Sequence, residues 1–249
     1  MNRMDIEVLL NGIDRKSFSR EDIQKRAEKL DPGFRKTQMR YLIGRLLQSG
    51  KIVRVSHGIY QQSSDHVEKK TYTNQYSEST KKLIRRMQKK YPMLHYRVWE
   101  LRWLNEFFNH QITQNKVFLE VENEGCDFVY DYLFDAYQGK ILLRPSSEEI
   151  YRYGIDGTVI IDRLISEAPP GFPDKYNVPL EKIIVDLFAN KKLQAMLSRG
   201  DYPDALENIF RKYEVNQSAM LRYARRRNKK IDMCVFFEEK TDIEMLTHR

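Results

Sequence analysis

The side chains best suited to chemistry lie close to the N-terminus, in a polar stretch that is followed by a short basic run. Glutamine and arginine can pair with the edges of adenine and guanine, whereas lysine, threonine and tyrosine suit phosphate oxygens. The polar stretch contributes Lys36, Thr37, Gln38, Arg40, Tyr41 and Arg45. The basic run contributes Lys51, Arg54 and His57, which would reach the flanking backbone or the minor groove. Together these residue types indicate a surface that recognises duplex DNA.

Two helices are needed to position the polar stretch. Ser19 is a good N-cap for a helix that runs to about Leu30, where Asp31-Pro32-Gly33 breaks it. A second helix is predicted from about Lys36 to Gln48, because apolar residues recur there at helical spacing. This apolar stripe consists of Met39, Leu42, Ile43, Leu46 and Leu47. The polar residues would then lie on the opposite, solvent-facing side.

A β-hairpin is predicted directly after the second helix, which Gly50 ends. The runs Ile52–Val55 and Ile59–Gln61 are rich in β-branched residues and are joined by Ser56-His57-Gly58. With a short first helix at Met4–Leu10, the order is three helices and a basic hairpin. That order predicts a winged helix-turn-helix. Such a fold favours DNA binding, and the alternative is a structural winged helix that binds protein.

The positive charge of the chain is concentrated at the same end. The net charge is +8, and residues 1–60 hold 13 Lys and Arg against 7 Asp and Glu. A local basic surplus favours a polyanionic partner, and nucleic acid is the first candidate. The alternative is a solvated surface with a few extra lysines.

The remainder of the chain predicts a larger α/β domain. Strands are predicted at Leu94–Val98, Lys116–Val121, Ile141–Arg144 and Thr158–Asp162, and helices at Lys81–Tyr91, Trp99–His110, Gly125–Tyr137, Ser146–Tyr153, Pro179–Leu197, Pro203–Tyr213 and Gln217–Arg227. Ser166–Val178 contains three prolines and a glycine and is predicted as a long loop. Alternating strands and helices indicate a small mixed sheet, with the last helices forming a bundle.

The predicted fold class is therefore α+β or α/β. A winged-helix DNA-binding domain is expected over residues 1–62 and a polar linker over residues 63–78. A mixed α/β regulatory domain that ends in a helical bundle is expected over residues 79–235, and a loose tail over residues 236–249. The two cysteines lie far apart and no run of about 20 apolar residues is present, so a cytoplasmic protein without a membrane span is expected.

Two further groups of charged residues have more than one interpretation. The first is a secondary basic surface formed by Lys81, Lys82, Arg85, Arg86, Arg222, Arg225 and Arg226. It suits DNA phosphates, an acidic partner protein or plain solvation. The second is Glu181, Lys182 and Asp186, whose helical spacing is typical of a solvated edge or of a clasp within the fold.

No complete catalytic set is found. A nucleotidyltransferase would need a Gly-Ser pair before a helix and an Asp-x-Asp strand, and neither is present. A restriction-type nuclease would need Glu-x-Lys on a strand, but Glu120-Val-Glu122 lacks the lysine. Both glutamates are therefore expected on the polar face of a half-buried strand. The five histidines show no metal-ligand spacing, so neither a metal nor a cofactor is predicted.

Two stretches carry a resemblance to a known family. GRLLQSGKIVRVSHGIYQ resembles the N-terminal winged helix of the AbiEi-like abortive-infection regulators, which are antitoxins of type IV toxin–antitoxin systems. The matching residues are Leu46, Leu47, Gly50, Lys51, Ile52, Arg54, Val55, Gly58, Ile59 and Tyr60. VPLEKIIVDLFANKKL is similar to a helix of that family's C-terminal domain through Pro179, Glu181, Lys182 and Asp186. The resemblance covers residues 20–61 and 178–227, and residues 93–165 match by element order.

This resemblance implies a function as well as a fold. The winged helix of that family represses the operon that encodes antitoxin and toxin, and the C-terminal domain supports repression and relief from a nucleotidyltransferase-like toxin. The expected function is thus a DNA-binding repressor and antitoxin rather than an enzyme. The alternatives are a metal-dependent nuclease or phage-defence effector that its winged helix targets to DNA, and a protein-interaction adaptor.

Overall fold

The computed structural model describes residues 6–13, 17–56, 58–63, 69–243 and 245. The chain divides into two compact units, residues 1–68 and residues 69–249, each with helices and a β-sheet. The mixed α+β class is therefore confirmed. The division falls within the segment predicted as a linker, residues 63–78, and the part of that segment from residue 69 onward belongs to the second unit.

In its described residues the first unit combines three α-helices with a small antiparallel sheet. Its elements are α1 (Ile6–Asn11), β1 (Ser17–Ser19), α2 (Arg20–Leu30), α3 (Met39–Gln48), β2 (Ile52–Ser56) and β3 (Ile59–Gln62). A 3-10 turn at Lys36–Gln38 precedes α3, so the predicted second helix begins in this tighter form. The hairpin of β2 and β3 is confirmed. The short strand β1 was not predicted, and it extends the sheet to the order β1-β3-β2.

Local capping and an apolar core explain the helices of the first unit. Ser19 is the N-cap of α2, as predicted, and it exchanges hydrogen bonds with Asp22 in a capping box. The apolar stripe of α3 packs into a core that also contains Phe18 and Ile23. Met39, Leu42, Ile43 and Leu46 are buried. The prediction was wrong for Leu47, which is 37% exposed because it lies at the edge of the stripe.

The second unit contains eight helices and four strands within its described residues. They are α4 (Glu78–Lys90), β4 (Tyr96–Glu100), β5 (Lys116–Val121), α5 (Cys126–Phe134), β6 (Ile141–Leu143), α6 (Ser147–Tyr153), β7 (Thr158–Arg163), α7 (Leu180–Ala189), α8 (Lys191–Met196), α9 (Tyr202–Lys212), α10 (Gln217–Arg226) and α11 (Lys230–Lys240). The strand order is β4-β5-β7-β6, in which β5, β7 and β6 are parallel and β4 is an antiparallel edge. The predicted small mixed sheet is confirmed.

Helices cover both faces of this sheet. Alternate residues of each strand point to opposite faces, so one strand contributes to two apolar cores. On one face Leu119 of β5 packs with side chains of α4 and α5. On the other face Phe118 packs with side chains of α7, α9, α10 and α11. The result is a layer of helices on each side of the sheet, which is typical of parallel strands.

The helix predicted at Trp99–His110 was wrong. Trp99 and Glu100 belong to β4, and a 3-10 segment, Leu101–Glu106, follows. The indole ring of Trp99 stacks on the ring of its cross-strand neighbour Phe118, with 4.6 Å between ring centroids. Strand pairing and this ring contact outweigh the helical spacing of the aromatic residues.

The C-terminal helices also differ from the prediction. The helix expected over Pro179–Leu197 is two helices, because Asn190 adopts an extended conformation and caps α8 through its side chain. The loose tail expected over residues 236–249 was wrong for residues 236–240, which belong to a helix. The helix α11 extends to Lys240, and Phe237 is fully buried beside Phe188 and Phe210.

Residues 69–77 are polar in sequence yet are bound to the second unit. Asn74 exchanges two hydrogen bonds with the backbone of Val178. The hydroxyl of Tyr76 donates to the carbonyl of Val98, and the indole N–H of Trp103 donates to the carbonyl of Gln75. These bonds hold an extended segment without regular structure of its own, which is why its composition indicated a linker.

Candidate nucleic-acid interface

The structure brings most of the predicted DNA-contacting residues together at the start of α3. Lys36, Thr37, Arg40 and Tyr41 are all exposed, and Tyr41 is 62% exposed. Because the apolar stripe of α3 faces the core, these side chains project away from it. A helix of this kind fits the width of the major groove and presents donors and an aromatic ring to base edges and phosphates.

Gln38 has a local structural role that the sequence analysis missed. Its amide oxygen accepts a hydrogen bond from the backbone N–H of Arg35 at 2.8 Å, which caps the 3-10 turn. Bidentate recognition of adenine requires both the oxygen and the nitrogen of the amide. In this conformation the oxygen is already engaged, so Arg40 and Tyr41 are the better candidates for base contacts.

Gly44 is a further feature of this face that was not predicted. It lies four residues after Arg40 and three after Tyr41, which places it on the same side of α3. Gly44 is exposed, and a Cβ atom added to it would meet no atom within 4 Å. Glycine inside a helix costs about 1 kcal/mol relative to alanine, and no packing explains its presence here. An isolated glycine within a helical pattern was the signal in the sequence.

The hairpin residues predicted to contact DNA differ in how available they are to a ligand. Lys51 is exposed, but its ammonium group pairs with the carboxylate of Glu7 at 3.2 Å, which reduces its free charge. Arg54 is exposed on β2, and Arg45 is half-buried on α3. His57 lies outside the described residues.

The residues of the predicted secondary basic surface do not form one surface. Lys81, Lys82, Arg85 and Arg86 are on α4, which packs on one face of the second sheet. Arg222, Arg225 and Arg226 are on α10, which packs on the other face. Arg226 also bonds to Ser166 and pairs with Glu167 at 3.6 Å. The helices α4 and α10 therefore present two separate basic faces.

A buried ionic network lies near the carboxyl ends of the parallel strands. The ammonium group of Lys182 donates to Glu120 at 2.6 Å and to Asp186 at 2.5 Å, and all three residues are buried. Arg227 donates to the other oxygen of Asp186 at 2.6 Å and to the hydroxyl of Tyr223 at 3.0 Å. The network joins β5, α7 and α10.

One sequence interpretation of these charges was wrong, and of two alternatives left open for the others one is excluded. Glu120 does not lie on a polar strand face, because all six residues of β5 are buried. Lys182 and Asp186 do not form a solvated edge, and of the two interpretations offered only the clasp within the fold fits them. Glu181 is half-buried and accepts a hydrogen bond from the backbone N–H of Asn216 at 2.6 Å. Glu120 and Arg227 come from distant parts of the chain, so spacing along one helix did not reveal that they join Lys182 and Asp186.

The electrostatics of the network favour a structural role. Burial raises the pKa of Glu120, against the lowering effect of Lys182. Burial alone would lower the pKa of Lys182, but Asp186 and Glu120 outweigh it and hold that pKa above its ordinary value. The cross-strand neighbour of Glu120 on β7 is Asp162, which pairs with Lys192. These carboxylates are engaged by basic groups rather than left open for a ligand.

Buried tyrosines are expected to make the second unit unfold at alkaline pH. Burial raises the pKa of Tyr96, Tyr202 and Tyr223 to about 12, and Asp186 adds to the shift of Tyr223. An unfolded tyrosine ionises near pH 10. Since the folded pKa values are the higher ones, their stabilising effect is complete below about pH 10 and is lost as pH rises through about 12. The last part of the tyrosinate absorbance and the far-ultraviolet circular dichroism should therefore change together in that range. Complete tyrosinate formation before any loss of helix would contradict the burial.

Three findings complete the description of the chain. No helix among the described residues is long and apolar enough to cross a membrane. Within the same residues, no group of three or more His, Cys, Asp or Glu side chains is arranged to hold a metal ion. No curated protein matches the sequence.

One family model does match. It covers residues 38–243, which is more than four fifths of the chain and runs from the residue before α3 to beyond α11. The match thus includes Arg40, Tyr41 and Gly44 on α3 and the whole sheet of the second unit, and it begins after Lys36 and Thr37. By this match the chain belongs to the Family of unknown function (DUF6577).

Proposed function

We propose that the chain is a sequence-specific duplex-DNA-binding protein whose first unit is a winged helix. The observation that carries this proposal is the exposed face at the start of α3, which presents Lys36, Thr37, Arg40 and Tyr41, with the open surface at Gly44 one turn after Arg40 and Tyr41. The order α1-β1-α2-α3-β2-β3 and the antiparallel sheet β1-β3-β2 support it, because they are what a helix-turn-helix with a hairpin wing requires.

The proposed biological role is that of a cytoplasmic transcriptional repressor and antitoxin. The support for this role is the resemblance of residues 20–61 and 178–227 to the abortive-infection antitoxin regulators. On that reading the first unit binds an operator, and the second unit serves repression and counteracts a nucleotidyltransferase-like toxin. Co-expression with such a toxin, encoded by a neighbouring gene, tests the antitoxin part: growth rescue supports it, and unchanged toxicity contradicts it.

Arg40→Ala and Tyr41→Ala test the DNA-binding part. A preferred duplex is first selected from a randomised pool with the natural protein, and its affinity is compared with that of a scrambled duplex. A lost base contact typically removes 1–3 kcal/mol of discrimination, which is about 5- to 150-fold. Each variant is expected to lower the ratio of the two affinities by a factor in that range. Gln38→Ala is a poorer test, because it also removes a cap.

Arg222→Ala is the matched control for Arg40→Ala. Arg222 is exposed on α10 and has no ion pair among the described residues, so its loss removes the same charge elsewhere. The ratio should stay unchanged in this control. Failure to select any preferred duplex would refute the proposal. Mg²⁺-dependent cleavage of the duplex by the natural protein would instead favour a nuclease.

A further inference from the structure

We propose that the exposed face of α4 in the second unit is a contact surface for the phosphate backbone of duplex DNA. This inference rests on the proposed function and adds a second, sequence-independent surface to it. The face consists of Lys81, Lys82, Arg85, Arg86, Lys89 and Lys90. All six side chains are exposed, while Thr80, Leu83, Ile84 and Met87 of the same helix are buried.

The charge on this face is largely uncompensated. Lys81 pairs with Glu78 at 2.7 Å, and Lys90 lies 5.6 Å from the ring centre of Tyr132. The other four basic residues have no ion pair among the described residues, and Glu78 is the single acidic residue of α4. By contrast α2, of similar length, mixes four basic and three acidic residues.

The arrangement carries an energetic cost that a partner would remove. Residues four apart are neighbours on a helix, and like charges at that spacing destabilise it by about 0.2–0.5 kcal/mol per pair. The face contains four such pairs: 81 with 85, 82 with 86, 85 with 89, and 86 with 90. Helix-dipole attraction favours only the cations of the last turn. A bound polyanion would offset this repulsion, because its negative charges attract the same side chains.

The chemistry of the face favours nucleic acid over an acidic protein. Protein interfaces have apolar and aromatic centres and are depleted in lysine. The exposed positions of α4 include no apolar residue, because Leu83, Ile84 and Met87 are buried, as is Thr80. Cations repeat every four residues, or about 6 Å along the axis, in two rows. A regular row of charge suits the continuous phosphate charge of a duplex, which recurs every 3.4 Å along each strand.

The test measures how the affinity of the full chain for a scrambled duplex depends on salt concentration. Each lost phosphate contact lowers the slope of log affinity against log salt by about 0.9. Replacing Lys82, Arg85, Arg86 and Lys89 by alanine is expected to lower the slope by about 3 to 4. Alanine favours the helix and leaves the buried side of α4 intact, so the variant should fold.

A matched pair of double variants separates this surface from general charge. Lys82→Ala/Arg85→Ala should lower the slope by about 2, whereas Arg222→Ala/Arg225→Ala, with the same spacing on α10, should not change it. An unchanged slope in the α4 variants, or an equal fall in the control, would overturn the inference. These outcomes differ from failure of the proposed function. The α4 variants are judged by the salt slope, whereas Arg40→Ala and Tyr41→Ala are judged by the ratio of the affinities for the preferred and the scrambled duplex.

Discussion

Replacing Lys182 by methionine is expected to lower the free energy of unfolding of the second unit by about 3–5 kcal/mol. Methionine fills most of the space but leaves Glu120 without a hydrogen-bond donor among the described residues and removes one donor from Asp186. A buried carboxylate without a partner is far more costly than the ion pair was. Denaturant unfolding followed by tryptophan fluorescence reports this unit specifically, because both tryptophans, Trp99 and Trp103, lie in it.

An exposed pair on α6 provides the matched control. Arg152 and Glu148 have the same i, i+4 spacing as Lys182 and Asp186, but both side chains are mostly exposed to solvent. Arg152→Met is therefore expected to cost no more than about 0.5 kcal/mol. A similarly small effect of Lys182→Met would show that the network is not buried in solution.

The double variant Lys182→Met/Glu120→Met identifies the source of the cost. It removes one charge of each sign and leaves Asp186 bonded to Arg227 and Tyr223. Because an apolar replacement of a buried ion pair is often neutral, the double variant should be more stable than Lys182→Met alone. Additive losses would contradict a mutual interaction between Lys182 and Glu120.

Local signals were the part of the fold that could be predicted from the sequence. The cap at Ser19, the stripe of α3 and the hairpin depend on residues close together in the chain, and each is present in the structure. The errors arose where distant residues decide the outcome. Trp99 belongs to a strand because of its neighbour Phe118, and residues 69–77 are ordered by bonds to residues near 98 and 178.

The candidate sites likewise combine features that local sequence predicts with features that depend on distant residues. The exposed face of α3 was predicted because the polar side of one amphipathic helix is a local property. The role of Gln38 as a cap and the open surface at Gly44 required the three-dimensional arrangement of that helix. Lys182 pairs with Asp186 four positions later on α7, but its other partner, Glu120, lies 62 positions earlier on β5, and no spacing rule connects that pair.

Introducing glutamate at Gly44 is expected to abolish most duplex binding without destabilising the first unit. The new side chain would place a carboxylate one helical turn after Arg40 and Tyr41, on the face that is proposed to meet a duplex. Like-charge contacts at an interface cost several kcal/mol, which corresponds to a loss of affinity on the order of a hundredfold or more. Binding to the preferred and the scrambled duplex should both fall, since bulk and charge obstruct any approach of α3.

The stability of the same variant distinguishes a blocked surface from an unfolded one. Glutamate forms helices better than glycine by several tenths of a kcal/mol or more, and a Cβ atom added at this position meets no atom within 4 Å. Thermal unfolding should therefore be unchanged or shifted upward while binding is lost. Val8→Glu, at an exposed position of α1, adds the same charge away from α3 and is expected to retain most of the affinity. If Gly44→Glu bound duplex DNA as well as Val8→Glu does, α3 would not be the surface that meets DNA.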